Sequence, residues 1–150
     1  MRLTIFTDYS LRVLIYLGAH RDEEQLATIN DIAAAYGISE NHLMKVVHNL
    51  ARHGYVQTTR GKGGGMQLAR APEEINIGAV VRVTEDDMAL VECFQDGPPK
   101  CPIVSACSLQ AVLAEALHEF LAVLDRQTLA DLLQPQAQLN KIFLAARVTR

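Results

Sequence analysis

The sequence predicts a mostly α-helical protein: a winged helix-turn-helix domain with a two-stranded wing, followed by a long C-terminal dimerisation helix. Three observations support this prediction. Two short helical patterns are joined by a turn at residues 36–39, and a basic, glycine-rich hairpin follows at residues 60–65. From Leu109 onward, apolar residues recur at helical spacing over about four turns.

The second and third predicted helices are marked by residues typical of helix ends. A hydroxyl side chain precedes each of them and a glycine follows, because hydroxyls cap free amides and glycine tolerates the backbone that ends a helix. Thr28 and Asp31 also form a capping-box pattern. The first three predicted helices are 4–20, then 29–36 between Thr28 and Gly37, and 40–53 between Ser39 and Gly54. The second and third make a helix-turn-helix.

The wing is predicted from strand-forming residues on either side of a glycine run. Residues 55–59 contain β-branched side chains, which favour strands, and residues 66–69 return as the second strand. The intervening RGKGGG segment is a turn that glycine accommodates easily, since glycine adopts backbone angles that strain other residues. A helix-turn-helix followed by such a hairpin is typical of a winged helix.

The remainder of the chain is predicted to contain a short helix, a loop with all the cysteines, and the long helix. Pro72 breaks the chain before the short helix at 77–84. The long helix carries one apolar stripe, which consists of Leu109, Val112, Leu113, Ala116, Leu117, Phe120, Leu121 and Leu124. This stripe either completes the core or pairs with a second copy. A homodimer is favoured, because helix-turn-helix proteins commonly bind two half-sites.

These elements divide the chain into three predicted units. Residues 1–72 form the DNA-binding domain, 73–108 a connecting helix with the cysteine loop (residues 93–107), and 109–150 the dimerisation helix with a C-terminal tail. Residues 128–133 are expected to add one or two helical turns. The tail after Pro135 carries no functional signal.

Charge is distributed unevenly in a way that points to a polyanion. The net charge is −3, yet residues 41–70 contain five Lys and Arg and no acidic residue. That segment therefore carries +5, and the rest of the chain carries −8. A basic segment in an acidic protein is typical of a nucleic-acid surface, and double-stranded DNA is the expected partner.

The predicted DNA contacts lie at the start of the second helix of the motif and in the wing. The first residues of that helix face base edges in the major groove, and here they are Ser39, Glu40, Asn41, His42, Met44 and Lys45. Asparagine suits adenine and lysine suits guanine. The slim wing brings basic side chains to phosphates or a narrow minor groove. The predicted DNA-binding residues are Ser39, Asn41, His42, Lys45, Arg60, Lys62, Gly63 and Gly64.

Other locations and functions find little support in the sequence. No apolar run is long enough to span a membrane, and Asp8 and Arg12 interrupt the apolar N-terminal stretch, which does not read as a signal peptide. A cytoplasmic protein with reduced thiols is expected. No nucleophile–base pair or phosphate-binding loop followed by Lys-Ser/Thr is present, so the chain is not expected to be an enzyme.

The three cysteines of the chain are concentrated in one segment. Cys93, Cys101 and Cys107 lie in CFQDGPPKCPIVSAC, with spacing that matches neither zinc-finger pairs nor the compact ferredoxin run. A closed metal site needs one more ligand than these three thiolates supply. The residues alone leave three interpretations open: an iron–sulfur cluster, a zinc site or a metal-free thiol switch. Nearby candidates for the fourth ligand are Glu92, Asp96 and Ser105.

Together these segments resemble one bacterial repressor family. The MRLT start, the run ISENHLMKVVHNLARHGYVQTTRGKGGGMQLAR and three cysteines before a long helix are similar to the winged-helix iron–sulfur regulators. The resemblance covers residues 1–133. One branch of the family has a histidine three residues after the last cysteine, where this chain has Gln110. The nitric-oxide-sensing branch instead uses an aspartate near the N-terminus, and Asp8 matches that position.

The resemblance implies a function, a cofactor and a set of ligands. It implies a homodimer with one 4Fe–4S cluster per subunit, with 2Fe–2S as the alternative. Cys93, Cys101 and Cys107 would bind the cluster together with Asp8 of the partner subunit. The implied function is a transcriptional repressor whose operator binding depends on the cluster and is relieved by nitric oxide. The alternative is a regulator of the same fold that senses iron–sulfur status or redox through a 2Fe–2S cluster or bare thiols.

Overall fold

The computed structural model describes residues 2–98 and 101–148. Helices dominate, with one two-stranded antiparallel sheet. Short 3₁₀ turns lie at Pro72–Glu74, Glu92–Phe94 and Val104–Ala106. The helices and strands are α1 (Ile5–Ala19), α2 (Ile29–Tyr36), α3 (Glu40–Arg52), β1 (Val56–Thr59), β2 (Gly65–Leu68), α4 (Ile77–Thr84), α5 (Ser108–Asp125), α6 (Leu129–Leu132) and α7 (Gln136–Val148).

The helix-turn-helix is built by the end residues that the sequence indicated. Thr28 and Asp31 form a reciprocal capping box at the start of α2, and Gly37 ends that helix with a left-handed backbone (φ 67°). The hydroxyl of Ser39 accepts a hydrogen bond from the His42 amide at the start of α3. These caps satisfy amides that have no partner within the helix and so fix the turn between α2 and α3.

The core of this domain lies between α1 and α3. The side chains of α3 that face inward are fully or almost fully buried and pack against buried residues of α1 and α2. On α3 these are Leu43, Val46, Val47 and Leu50. Their helical spacing leaves the opposite face of α3 free for contacts outside the protomer.

The wing is a short hairpin anchored to the loop before α2. Val56 pairs with Leu68, and Thr59 pairs with Gly65 at the turn. An additional bridge joins Ala27 to Met66, so the wing is hydrogen-bonded to the segment between α1 and α2. Each strand begins or ends one residue away from its predicted limits, which is the usual uncertainty at element ends.

The C-terminal end of α5 is attached to α4. Arg82 forms a two-pronged ion pair with Asp125, with nitrogen–oxygen distances of 2.5 and 2.8 Å. These hydrogen bonds raise the pKa of Arg82 and lower the pKa of Asp125. Asn76 caps α4 and donates from its amide to the carbonyl of Asp125 at 2.7 Å. Gly78 keeps this junction close, since a β-carbon there would collide with the Asp125 carboxylate.

The apolar stripe of α5 is only partly covered within one protomer. No residue of this 18-residue helix is fully buried. Leu109 is 61% exposed and Val112 is 59% exposed. The stripe therefore does not serve mainly as monomer core. None of the described helices combines the length and hydrophobicity that crossing a lipid bilayer requires.

The segment after Pro135, in which no element was predicted, forms α7 and returns to the N-terminal helices. Its Phe143 is only 4% exposed and lies in an aromatic cluster. Ring-centroid distances from Phe143 are 5.1 Å to Tyr16, 5.3 Å to His20 and 5.6 Å to Tyr36. Residues from α1, α2 and α7 thus share one apolar site.

Candidate nucleic-acid interface and cysteine loop

The predicted base-contacting side chains are exposed at the start of α3. Ser39, Asn41, His42 and Lys45 all lie on the solvent side of the helix. The Ser39 hydroxyl is already used as the helix cap. The His42 ring lies 6.2 Å from the ring of Tyr9 on α1, so this histidine borders the exposed face. Asn41 and Lys45 are one helical turn apart and can face the same groove.

The wing places the predicted basic residues at its tip. Arg60, Lys62 and Gly63 are exposed, and Gly64 is half-buried. Gly61 and Gly63 have positive φ angles of 100° and 77°, which glycine adopts without strain. The Gly64 amide donates to the Gly61 carbonyl at 2.9 Å and closes the turn. The glycines therefore shape the turn from which Arg60 and Lys62 project.

One of the five basic residues in the segment 41–70 has a structural role instead. Arg70 donates to the carbonyl of His53 at 3.0 Å, and its guanidinium lies 5.0 Å from the centre of the Tyr55 ring. It thus ties the end of the wing to the end of α3. The charge count in the sequence could not distinguish this arginine from those available to a polyanion.

Replacing Gly64 with alanine is expected to disrupt the wing and weaken DNA binding. A β-carbon there would lie 2.4 Å from the Thr59 carbonyl oxygen and 2.9 Å from that of Gly61, and both are backbone atoms. The hairpin would have to open, at a cost of about 1–3 kcal/mol in unfolding free energy. Thermal unfolding and binding to a labelled operator duplex measure both effects.

Lys62→Ala provides the matched control for this prediction. It removes one positive charge from the same turn without a steric conflict, so it should weaken DNA binding and leave unfolding unchanged. Equal thermal stability of G64A and the unaltered protein would contradict the steric argument.

The three cysteines are free thiols in the segment that leads into α5. Cys93 is half-buried in the 3₁₀ turn Glu92–Phe94, Cys101 is exposed, and Cys107 is half-buried at the N-cap of α5. Within residues 2–98 and 101–148, no three side chains among His, Cys, Asp and Glu come close enough to hold a metal ion. One protomer therefore does not bring the predicted ligands together. Glu92, Asp96 and Ser105 are all exposed on the same stretch.

The chemistry of this segment nevertheless fits an anionic iron–sulfur cluster. Thiolates are the ligands that such clusters use most. Cys107 makes no side-chain cap for α5, so no side chain competes for the first amides of that 18-residue helix. The positive end of the helix dipole then favours negative charge beside Cys107. The loop thus supplies thiolate ligands, and the N-terminal end of α5 stabilises negative charge beside them.

Asp8, the fourth predicted ligand, forms an ion pair on its own helix. Its carboxylate accepts from Nε of Arg12 at 3.0 Å and lies 2.8 Å from the terminal nitrogen of that arginine. The guanidinium also lies 5.7 Å from the ring centre of Tyr36 at the end of α2. Tyr36 donates its hydroxyl to the Arg12 carbonyl, and burial raises the pKa of Tyr36 to about 12. Asp8 is therefore linked through Arg12 to the turn of the DNA-binding motif.

A second link, which the sequence analysis missed, joins α1 to the segment that enters the cysteine loop. The Thr4 amide and hydroxyl both donate to the Glu85 carboxylate, at 2.8 and 3.1 Å. The Thr7 hydroxyl donates to that of Thr84 at 3.0 Å in the interior. Thr4 is the N-cap of α1, whereas the sequence analysis placed it inside that helix. Its contact with Glu85 spans 81 residues of the chain, which local sequence patterns cannot show. These contacts join the start of α1 to the residues that precede the cysteine loop.

Comparison with known proteins identifies the family of this chain. Residues 3–135 match the Rrf2 family, described as "Iron-dependent Transcriptional regulator". The chain is 51% identical to the HTH-type transcriptional regulator NsrR of Geobacillus kaustophilus, over 98% of this chain and 99% of that protein. It is 54% identical to NsrR of Bacillus subtilis, over 95% of this chain and 97% of that protein.

A solved structure supports the fold assignment. IscR of T. potens superposes with a TM-score of 0.71 at 26% sequence identity, covering 90% of this chain and 88% of that chain. The predicted winged-helix fold is confirmed. The relatives are named as transcriptional regulators, which also confirms that the chain is not an enzyme. The chain belongs to the Rrf2 family of transcriptional regulators, and NsrR proteins are among its full-length relatives.

Proposed function

We propose that this chain is a homodimeric repressor that binds operator DNA when an iron–sulfur cluster is present and releases it on exposure to nitric oxide. The observation that supports this most directly is the three-cysteine loop in a chain about half identical to NsrR regulators over nearly its full length. In this proposal residues 1–72 contact DNA, 73–108 hold the cluster and 109–150 contain the dimerisation helix. A DNA-bound bacterial regulator would act in the cytoplasm.

Cys93, Cys101 and Cys107 are the proposed thiolate ligands, with Asp8 of the partner subunit as the fourth. When bound, a 4Fe–4S cluster supplies iron that reacts with nitric oxide. A carboxylate oxygen suits iron less well than thiolate, so Asp8 would be the ligand most easily displaced. In the structure, Asp8 pairs with Arg12 of its own chain. Asp8 therefore has two alternative partners, one within its helix and one across the dimer.

The exposed stripe of α5 supports the homodimer. Large apolar side chains such as Leu109 and Val112 would remain in water in an isolated protomer. Pairing two copies of α5 would bury this stripe, and each square ångström of apolar surface removed from water contributes about 25 cal/mol. The stripe begins directly after Cys107, so a dimer along α5 also brings the second chain towards the cysteine loop.

The contacts of α1 supply a route from the cysteine loop to the DNA-reading helices. Thr84 and Glu85 connect the segment before the loop to the start of α1, and Arg12 connects α1 to Tyr36. Release of Asp8 from the partner's cluster would allow α1 to change its position relative to the partner's cysteine loop. The two α3 helices must match successive major grooves, so a small shift between subunits lowers operator affinity.

Native mass spectrometry of protein prepared without oxygen tests this proposal. A dimer carrying one 4Fe–4S cluster per chain, whose mass changes on addition of nitric oxide, is the expected result. A dimer with 2Fe–2S clusters would favour a redox or iron–sulfur status regulator. A metal-free or zinc-loaded dimer under strict anaerobiosis would contradict the cluster and leave the DNA-binding proposal intact.

Asp8→Ala is expected to loosen the cluster while leaving the fold intact. The Asp8–Arg12 pair is half-exposed, so its loss should cost only about 0.3–0.5 kcal/mol in stability. Loss of an iron ligand should instead speed removal of iron by a chelator, measured as decay of visible absorption, and weaken the nitric-oxide response of operator binding.

Arg12→Gln is the control that separates the two roles of Asp8. It breaks the same ion pair but retains the carboxylate. If both variants lose iron at the same rate, Asp8 acts through Arg12 and is not a ligand.

A further inference from the structure

Met44 is an apolar side chain on the face of α3 that is otherwise polar and exposed. Its side chain is 52% exposed, although methionine is usually buried. The residues around it on the helix surface, Glu40, Asn41, Lys45 and His48, are exposed as well. The buried face of α3 is filled by other residues. Met44 is therefore not needed to complete the core.

The position of Met44 differs from that of the other exposed apolar side chains. Among the described residues, the large apolar side chains exposed to solvent are Ile5, Met44, Ile103, Leu109, Val112, Val123 and Ile142. Four of the other six lie on α5 or in the cysteine loop, and two of these, Leu109 and Val112, belong to the stripe that the proposed dimer would cover. In the part of the chain that the structure describes, Met44 is the one located in α2 or α3.

We propose that Met44 recognises a thymine in the operator by packing its thioether against the C5 methyl group in the major groove. This inference rests on the proposed DNA binding. Met44 lies one turn after Glu40 and Asn41, in the part of a helix-turn-helix that faces base edges. It would therefore reach the groove beside Asn41 and Lys45.

The chemistry of the major groove favours thymine as the partner. Thymine is the base that presents a methyl group there, whereas adenine, guanine and cytosine present hydrogen-bonding groups. Methionine forms only weak hydrogen bonds with those groups, but its flexible, polarisable side chain can pack against a small apolar group such as the thymine methyl. A hydrogen-bonding side chain such as Asn41 and an apolar one such as Met44 would together specify adjacent base pairs.

Replacement of single thymines by deoxyuridine tests this contact, because only the methyl group is removed. The probes are duplexes selected from a random pool by the cluster-loaded dimer. With the unaltered protein, replacing one particular thymine in each half-site should lower the affinity about fourfold. This factor corresponds to the loss of one buried methyl-sized group. With Met44→Ala this sensitivity should disappear, and with Met44→Leu it should largely remain.

Lys45→Ala is the matched control on the neighbouring position. It should weaken binding to every duplex yet retain the deoxyuridine effect. The Met44 contact is overturned if no deoxyuridine substitution lowers the affinity of the unaltered protein, or if the substitutions lower the affinity of M44A by the same factor. Neither result would contradict DNA binding itself. A weaker dimer in M44A without DNA also overturns the Met44 contact, since Met44 would then cover a protein surface. Selection of no sequence at all overturns the proposed function together with this inference.

Discussion

Replacement of Phe143 by alanine is expected to lower the free energy of unfolding by about 3–5 kcal/mol. The ring is almost fully buried and contacts the rings of Tyr16, His20 and Tyr36. Its removal would leave a cavity between α1, α2 and α7 that rigid aromatic neighbours cannot fill. Urea denaturation at one fixed protein concentration measures the loss, with an unchanged denaturant slope as the sign of intact folding cooperativity.

Ile142→Ala is the control, because it removes a similar apolar group from the adjacent position. Ile142 is 56% exposed, so its loss should change the unfolding free energy by no more than about 0.5 kcal/mol. A loss below 1 kcal/mol for F143A would mean that α7 does not dock on α1 and α2 as the structure describes.

Cys107→Ala is expected to prevent cluster binding and, with it, high-affinity operator binding. Cys107 is the proposed ligand directly at the start of α5, where the helix end favours an anionic group. Its loss removes one of three thiolates, so visible absorption after anaerobic reconstitution should be largely lost. Operator affinity should fall by roughly 5- to 150-fold, the range typical of coupling between two sites.

Ser108→Ala is the matched control for the cysteine variant. It alters the next residue, the first of α5, without removing a thiol. Cluster absorption and operator affinity should both match those of the unaltered protein. If C107A loses the cluster but keeps its operator affinity, the chain binds DNA independently of metal. That result would contradict the proposed mechanism of sensing.

The DNA-binding half was predictable because its signals are local in sequence. Thr28, Asp31 and Gly37 fix α2 through contacts within a few residues, and the structure has the helix at the predicted limits. Ser39 caps α3 in the same way. The wing follows from a glycine run whose backbone angles few other residues adopt.

The parts that sequence reasoning missed depend on contacts between distant residues. The burial of Phe143 depends on Tyr16, more than 120 residues earlier in the chain. Arg70 looked like a free basic residue until its contact with Tyr55 was visible. The cysteine ligands could be proposed by type, but the described residues of one protomer bring no three potential ligands together. The proposed fourth ligand belongs to a second chain, so the sequence of one chain could not show how the proposed site is assembled.

The junction between α4 and α5 gives the long helix a pivot. The Arg82–Asp125 pair and the Asn76 contact hold α5 at its C-terminal end, whereas Cys107 lies at the opposite end. With 18 residues, the helix is about 27 Å long. A rotation of about 10° around the junction would therefore displace the cysteine end by about 5 Å, roughly one helical turn. The converse also holds: a displacement of a few ångströms at the cysteine end of α5 corresponds to only a small change of angle where α5 meets α4.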